Sequence, residues 1–317
     1  MARRRTVRAA IRVSLLLLGL GAVACSPHLV GSAAVPDEQP DGAEAVQGPL
    51  GDTVVEGVFA SAALGQEMPY LVYLPPGYDA DARRYPTLYM LHGIGASNRE
   101  WLGYGIDVAA SCLMASGRIQ PFIVVLPQGD ESYWVNHAPD GPRWGDYVAV
   151  DLVAHIDATY RTLPAPASRA IGGLSMGGHG ALQLAYTHPD VFGVAGAHSP
   201  TLRPQAQAPE YFADALTFPR VDPVSLAKGD DGAKRVHTWV DAGDADPWLW
   251  RIEELHEALD ERGVVHDWHV WEGDHESEYW TAHVADYLTY YGEALVGDGF
   301  VPSTDKVGFP VPAACKG

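Results

Sequence analysis

Gly173-Leu174-Ser175-Met176-Gly177 reads G-x-S-x-G, follows the short apolar run Ala170-Ile171 and precedes a helix pattern of small residues. A serine in that setting sits on a sharp strand-to-helix turn. The turn lifts its hydroxyl above the sheet, while glycines two residues either side let strand and helix pass closely. Gly178 and Gly180 extend the close packing. Ser175 is therefore the candidate nucleophile, and the motif demands a strand before it and a helix after it.

The chain around it repeats that rhythm. Short apolar runs at 87–91, 121–126, 170–174, 192–197, 236–240 and 264–271 alternate with segments of helical period. Such alternation predicts an α/β fold with a mostly parallel sheet and helices on both faces. Upstream, 53–60 and 69–74 read as two antiparallel strands around Leu64-Gly65-Gln66, ended by Pro75-Pro76-Gly77. The clearest helix covers 147–160, where Val148, Leu152, Ile156 and Tyr160 recur every four residues. Further helices are expected at 181–187, 249–262 and about 279–295.

The chain has 317 residues, 47% hydrophobic and 19% charged, which describes a globular core rather than a disordered chain. Its formal charge of −19 opposes binding to nucleic acid and to anionic lipid. The acids all lie outside residues 1–25, which carry five arginines. Residues 1–24 read as an export signal, with a basic start, an apolar stretch at 13–24 and small residues at the cleavage point. That stretch is too short to span a bilayer, which needs ~20 residues. Ala22-Val23-Ala24-Cys25 also resembles a bacterial lipoprotein box, making Cys25 a lipidation candidate and a possible membrane tether, although Ala22 replaces its usual leucine. Residues 25–52 are rich in Ala, Gly, Pro and acids and read as a flexible tether, 53–296 as the catalytic domain and 297–317 as a C-terminal extension. If Cys25 carries lipid, Cys112 and Cys315 could pair in an oxidising compartment; the alternative is a buried Cys112 on a helix with Cys315 unpaired, and the sequence does not choose between them.

A serine hydroxyl needs a base within hydrogen-bond reach and a carboxylate to orient that base. On a sheet of this kind the chain order is serine, acid, histidine. Of thirteen histidines only His256, His266, His269, His275 and His283 come late enough. The first and last fall in expected helices, and His266 and His269 in an expected strand. His275 remains, in the loop after the last strand, where carboxyl-end loops build the crevice. The acid is expected just after the strand 236–240, with Asp246 first, Asp244 second, and Asp241 still at the strand's end. Two backbone N–H groups should face the oxyanion, Met176 beside the nucleophile and Ile94 in His92-Gly93-Ile94-Gly95 after the strand 87–91. His92 reads as a structural hydrogen-bonder.

Together these residues resemble the esterase D (putative esterase) family, relatives of which include feruloyl and acetylxylan esterases, mycolyltransferase antigens and S-formylglutathione hydrolases. The likeness lies in Tyr73 to Tyr78, Leu91-His92-Gly93, Gly173 to Gly178, Gly243 to Leu249 and Gly273 to Trp280. It implies an alpha/beta-hydrolase fold, the acid at Asp246, the base at His275 and the oxyanion donors at Ile94 and Met176. The expected function is an exported serine carboxylesterase, with a mycolyltransferase-type acyltransferase or a non-catalytic surface-tethered binding protein as alternatives.

Trp101, Tyr104, Trp134, Trp144, Trp248 and Trp250 fall after strands, where the crevice is expected. Trp101, Trp134, Trp144 and Trp248 are the candidate substrate contacts, suited to a sugar or an aryl acyl group, unless they close a core instead. No H-E-x-x-H, metal-spaced cysteine pair or phosphate-binding loop occurs, so no metal or cofactor is expected. His266 and His269, three apart on a strand, face opposite sides.

Overall fold

A computed structural model describes residues 53–80, 82–212, 214–297 and 315. The expected signal, the tether and Cys25 lie outside the described residues, as does the expected extension apart from Gly297 and Cys315.

The strands are β1 (Val54–Ser61), β2 (Gln66–Tyr73), β3 (Thr87–Leu91), β4 (Ile123–Pro127), β5 (Arg169–Ser175), β6 (Val194–Pro200), β7 (His237–Gly243) and β8 (His266–Trp271). They form one sheet in the order β1-β2-β4-β3-β5-β6-β7-β8. β1 pairs with β2, and β2 with β4, antiparallel; every other pairing is parallel. This is the expected α/β architecture, and β5, which carries the candidate nucleophile Ser175, lies well inside it.

β3, β4, β5 and β6 are buried along their whole length, which is why they read as continuous apolar runs rather than alternating ones. Alternation still sorts their side chains between two faces. Leu88, Met90, Val124, Leu126, Ala170 and Leu174 join a cluster with α1 (Ile106–Ala115) and with Tyr287, Leu288 and Tyr291 of the long C-terminal helix (Ser277–Ala294). Tyr89, Val125 and Ile171, interleaved between them, are equally buried. They point to the other face of the sheet, where α3 (Met176–Thr187) packs on β3 and β5; α2 (Val153–Thr159) precedes β5 in the chain.

The expected helix over 147–160 is not uniform. Tyr147–Leu152 winds as a π turn before α2, and Tyr160 is extended. The wider turn changes the phase of the helix, and Val148, Leu152 and Ile156 stay buried across it. Tyr160, the fourth member of the sequence pattern, lies beyond the helix end.

At the β5–α3 junction the glycines are required sterically. A methyl on Gly177 would lie 2.3 Å from the Leu91 carbonyl oxygen, and one on Gly173 would lie 2.5 Å from the Gly177 carbonyl carbon. On the opposite flank, Cys112 of α1 is disulfide-bonded to Cys315, with 5.4 Å between their α-carbons.

Candidate active site

β5 ends at Ser175 with φ 52° and ψ −118°, a conformation that side-chain-bearing residues rarely adopt. Such strain costs on the order of 1–3 kcal/mol and persists only where surrounding packing enforces it. α3 starts at the next residue, so the Met176 amide belongs to the helix's first turn, where N–H groups lack intrahelical acceptors and the dipole is positive.

Three sequence candidates meet here. Ser175 Oγ lies 2.9 Å from His275 Nε2, and His275 Nδ1 lies 3.0 Å from Asp246 Oδ2. A carboxylate can only accept, so Nδ1 carries the proton donated to Asp246 and Nε2 presents its lone pair to the serine hydroxyl. The Asp246 side chain is fully buried, and it also accepts from the Trp248 amide at 2.7 Å and from Ser199 Oγ. Trp280 packs edge-on against the His275 ring, 5.0 Å between centroids.

The other aspartates do different work. Asp244 accepts from the Gly273 amide at 3.1 Å and donates its own amide to Trp271 O, fastening the loop after β7 to the loop after β8. Asp241 is fully buried under the sheet's end, where His198 Nδ1, Trp239 Nε1, Tyr279 OH and Tyr287 OH all lie within 3.1 Å of its carboxylate. A buried carboxylate with four such partners is a structural hub.

The turn after β3 reaches the same place. A methyl on Gly93 would lie 3.6 Å from Ser175 Cβ. The Gly93 amide is committed to Glu100 Oε2 at 2.7 Å, and Ile94, the expected oxyanion donor, follows it in the same turn. His92 is buried, accepts from the Gly129 amide at Nε2 and donates from Nδ1 to Gly93 O. Burial pulls its pKa down to about 4, which keeps it neutral. It braces the turn, as the sequence suggested.

The tryptophan expectations need correction. Trp101 and Trp134 are 1% and 0% exposed, and their indole N–H groups donate to Leu91 O and His92 O. They pin the end of β3 from beneath and cannot line an open substrate surface. Trp144 and Trp248 are also largely buried, and the Arg203 guanidinium lies 5.0 Å from the Trp248 ring centre. The chain places these residues after strands, as read, but their size draws them into the core.

Sequence reasoning missed three neighbours. Thr201 Oγ1 lies 2.8 Å from Ser175 Oγ, and its amide donates to Ser175 O. Ser199 supports Asp246. Glu100 is 8% exposed, and burial raises its carboxyl to about pH 7 against the hydrogen bonds from Gly93 and Tyr104. None carries a local motif; only the Glu100-Trp101 pair after the glycine loop offered a signal.

Known proteins resemble this chain in sequence and fold. The sequence profile of the family described as "Putative esterase" matches residues 61–291. An esterase of Mycobacterium tuberculosis is 32% identical over 145 residues, 44% of this chain and 31% of that protein. An endo-1,4-beta-xylanase/feruloyl esterase of Xylanibacter ruminicola is 32% identical over 146 residues, 44% of this chain and 20% of that protein. The matches thus span about a third of the first relative's length and a fifth of the second's. A solved ferulic acid esterase superposes with a TM-score of 0.69 at 26% identity, covering 76% of this chain and 98% of its own.

Proposed function

The chain belongs to the putative esterase family, and on that premise we propose that it is a serine carboxylesterase acting through an acyl-enzyme. The observation that carries the reading is the unbroken line from Ser175 through His275 to Asp246, with contacts of 2.9 and 3.0 Å. Ser175 Oγ attacks the ester carbonyl while His275 Nε2 takes its proton. Asp246 holds the resulting imidazolium in register and balances its charge. The carbonyl oxygen becomes an oxyanion facing the Met176 and Ile94 amides, each donor of this kind being worth roughly 3 kcal/mol in the transition state. The tetrahedral intermediate collapses, the alcohol leaves with the proton from His275, and Ser175 is left acylated. Water then enters, gives its proton to His275 and attacks the acyl carbon; the second tetrahedral intermediate collapses, breaking the bond to Ser175 Oγ, which takes the proton back from His275 as the acid leaves.

For the substrate we favour an aryl ester of carbohydrate, of the feruloyl type. The ferulic acid esterase likeness and the xylanase/feruloyl esterase relative support this class. The basic start, short apolar stretch and small residues of 1–25 support export, with Cys25 as a lipid anchor.

The test is hydrolysis of methyl ferulate and of a short p-nitrophenyl ester, together with mass spectrometry after a fluorophosphonate probe. One adduct on Ser175, lost in Ser175→Ala and in His275→Ala along with both activities, is expected. A folded wild-type chain that takes no adduct and cleaves neither ester would overturn the reading. Cleavage of the short ester alone would overturn only the feruloyl assignment.

A further inference from the structure

A second cluster of histidine and carboxylate stands at the far end of β8 from His275. His266 opens this edge strand. His256 and Asp260 lie four residues apart on one face of the helix Leu249–Glu261, which we number α5 after α4 (Pro223–Gly229). One ligand atom from each of the three lies within 4.8 Å of those of the other two.

The protons on these rings follow from their partners. His266 Nδ1 lies 2.8 Å from the Val264 carbonyl, which can only accept, so the ring's proton is there and Nε2 carries a lone pair. His256 Nδ1 lies 2.8 Å from that Nε2 and must donate to it. In the neutral ring, His256 Nε2 then also carries a lone pair, and it faces Asp260 Oδ2 at 3.6 Å. The His256 Nε2 lone pair and the Asp260 carboxylate thus face each other with no proton between them, a contact that a cation would relieve, and His266 Nε2 can join them once it gives up its hydrogen bond from His256 Nδ1.

Two further features suit a metal ion rather than a proton alone. A ring N–H held by a backbone carbonyl is the outer support that metal-binding imidazoles commonly have, because it fixes tautomer and ring plane. Trp268, two residues along β8 from His266, stacks on His256 at 4.7 Å and 7°, which fixes the second ring. The His256 and Asp260 side chains are 27% and 65% exposed, so solvent can deliver the ion and complete its shell. Two imidazoles and one carboxylate are the donor set of zinc and its neighbours.

We propose that His256, Asp260 and His266 bind a divalent transition-metal ion of the zinc class, clamping the edge strand β8 to α5. His256 Nε2 and Asp260 Oδ2, 3.6 Å apart, already stand near the roughly 3.3 Å that separates two ligands on tetrahedral zinc at ~2.0–2.1 Å, and His266 must turn its Nε2 from His256 Nδ1 to the ion. The pair the sequence raised and set aside was His266 with His269. His269 instead packs between Trp239 and Trp271, with centroids 4.0 and 5.0 Å away. The true partner of His266 comes from the helix.

The experiment titrates zinc into tag-free, metal-stripped protein, read by competition with a chromogenic chelator and by thermal unfolding. Wild type should bind one zinc per chain and melt higher with it. His256→Ala and His266→Gln should each lose at least 10–100-fold in affinity, and Asp260→Asn a smaller factor. His275→Ala should keep both effects, which separates this site from the catalytic histidine. Ester hydrolysis by His266→Gln should be unchanged, which shows that the variant is folded. Failure of wild type to take up zinc, or a folded His256→Ala/His266→Gln double variant that binds zinc as tightly as wild type, would overturn the proposal.

Discussion

Replacing Glu100 with glutamine should make the protein more stable at alkaline pH and leave it nearly unchanged in acid. Glu100 is buried against the turn after β3, and its carboxyl keeps its proton up to about pH 7, against an ordinary value of 4.5. Between those values the native state holds a proton that the unfolded chain has released. The wild type is therefore at its full stability below 4.5 and loses stability as pH rises towards 7, after which the loss is complete. At 1.36 kcal/mol per pH unit the gap is worth about 3 kcal/mol. Glutamine does not titrate. It can still accept from the Gly93 amide, and its NH2 group can donate to Tyr104 OH where the carboxylate accepted from it. Urea unfolding of both proteins from about pH 4 to pH 8 isolates the effect, because every other titrating group is common to the two and cancels. The variant's advantage should grow by about 3 kcal/mol across that range. Two curves that stay parallel, or an advantage that shrinks with rising pH, would refute the reasoning.

Three other outcomes are expected. Asp246→Asn should lower kcat by on the order of 10⁴, because an amide supports the wrong imidazole tautomer, whereas Asp244→Asn should keep most activity; steady-state kinetics on one short ester distinguishes them. Cys112→Ser should cost roughly 3–5 kcal/mol, since the bridge to Cys315 closes a sequence separation of 203 residues, and matching denaturation midpoints for oxidised wild type and variant would contradict this. Asp241→Ala should cost roughly 3–5 kcal/mol by stranding the four side chains around it, a loss measurable by thermal unfolding; a midpoint shift near zero would remove its role as a hub.

How much of this was legible in the chain depends on how local each signal is. Ser175 was, because the glycines that make its turn sterically possible stand two residues away on either side. His275 followed from chain order and loop position, which exclude helix and strand histidines without knowing any distance. Asp246 and Asp244 were harder to separate. Both lie in one short loop, and the choice rests on which side chain turns inward to Ser199 and which ties to Gly273, a property of the folded loops alone. The tryptophans misled for a related reason: position after a strand is visible in sequence, but depth below the surface is not. Glu100 and Thr201 reach the site from the turn regions after β3 and β6; Thr201 has no adjacent signal, and Glu100 only its neighbour Trp101 after the glycine loop. The π turn at Tyr147–Leu152 also escaped, since one extra residue per turn barely disturbs a four-residue recurrence of apolar side chains.

The order of the triad along the chain has a consequence for timing. Ser175 is synthesised 71 residues before Asp246 and 100 before His275, and β7 and β8 must both dock before the contacts close. A growing or unfolded polypeptide therefore carries a serine no more reactive than any other. Its cysteine bridge waits longer still, for a partner two residues from the end of the 317-residue sequence. On the proposed esterase reading, cleaving power is acquired only once β8 has docked, so a nascent or threaded chain leaves intact any ester it meets.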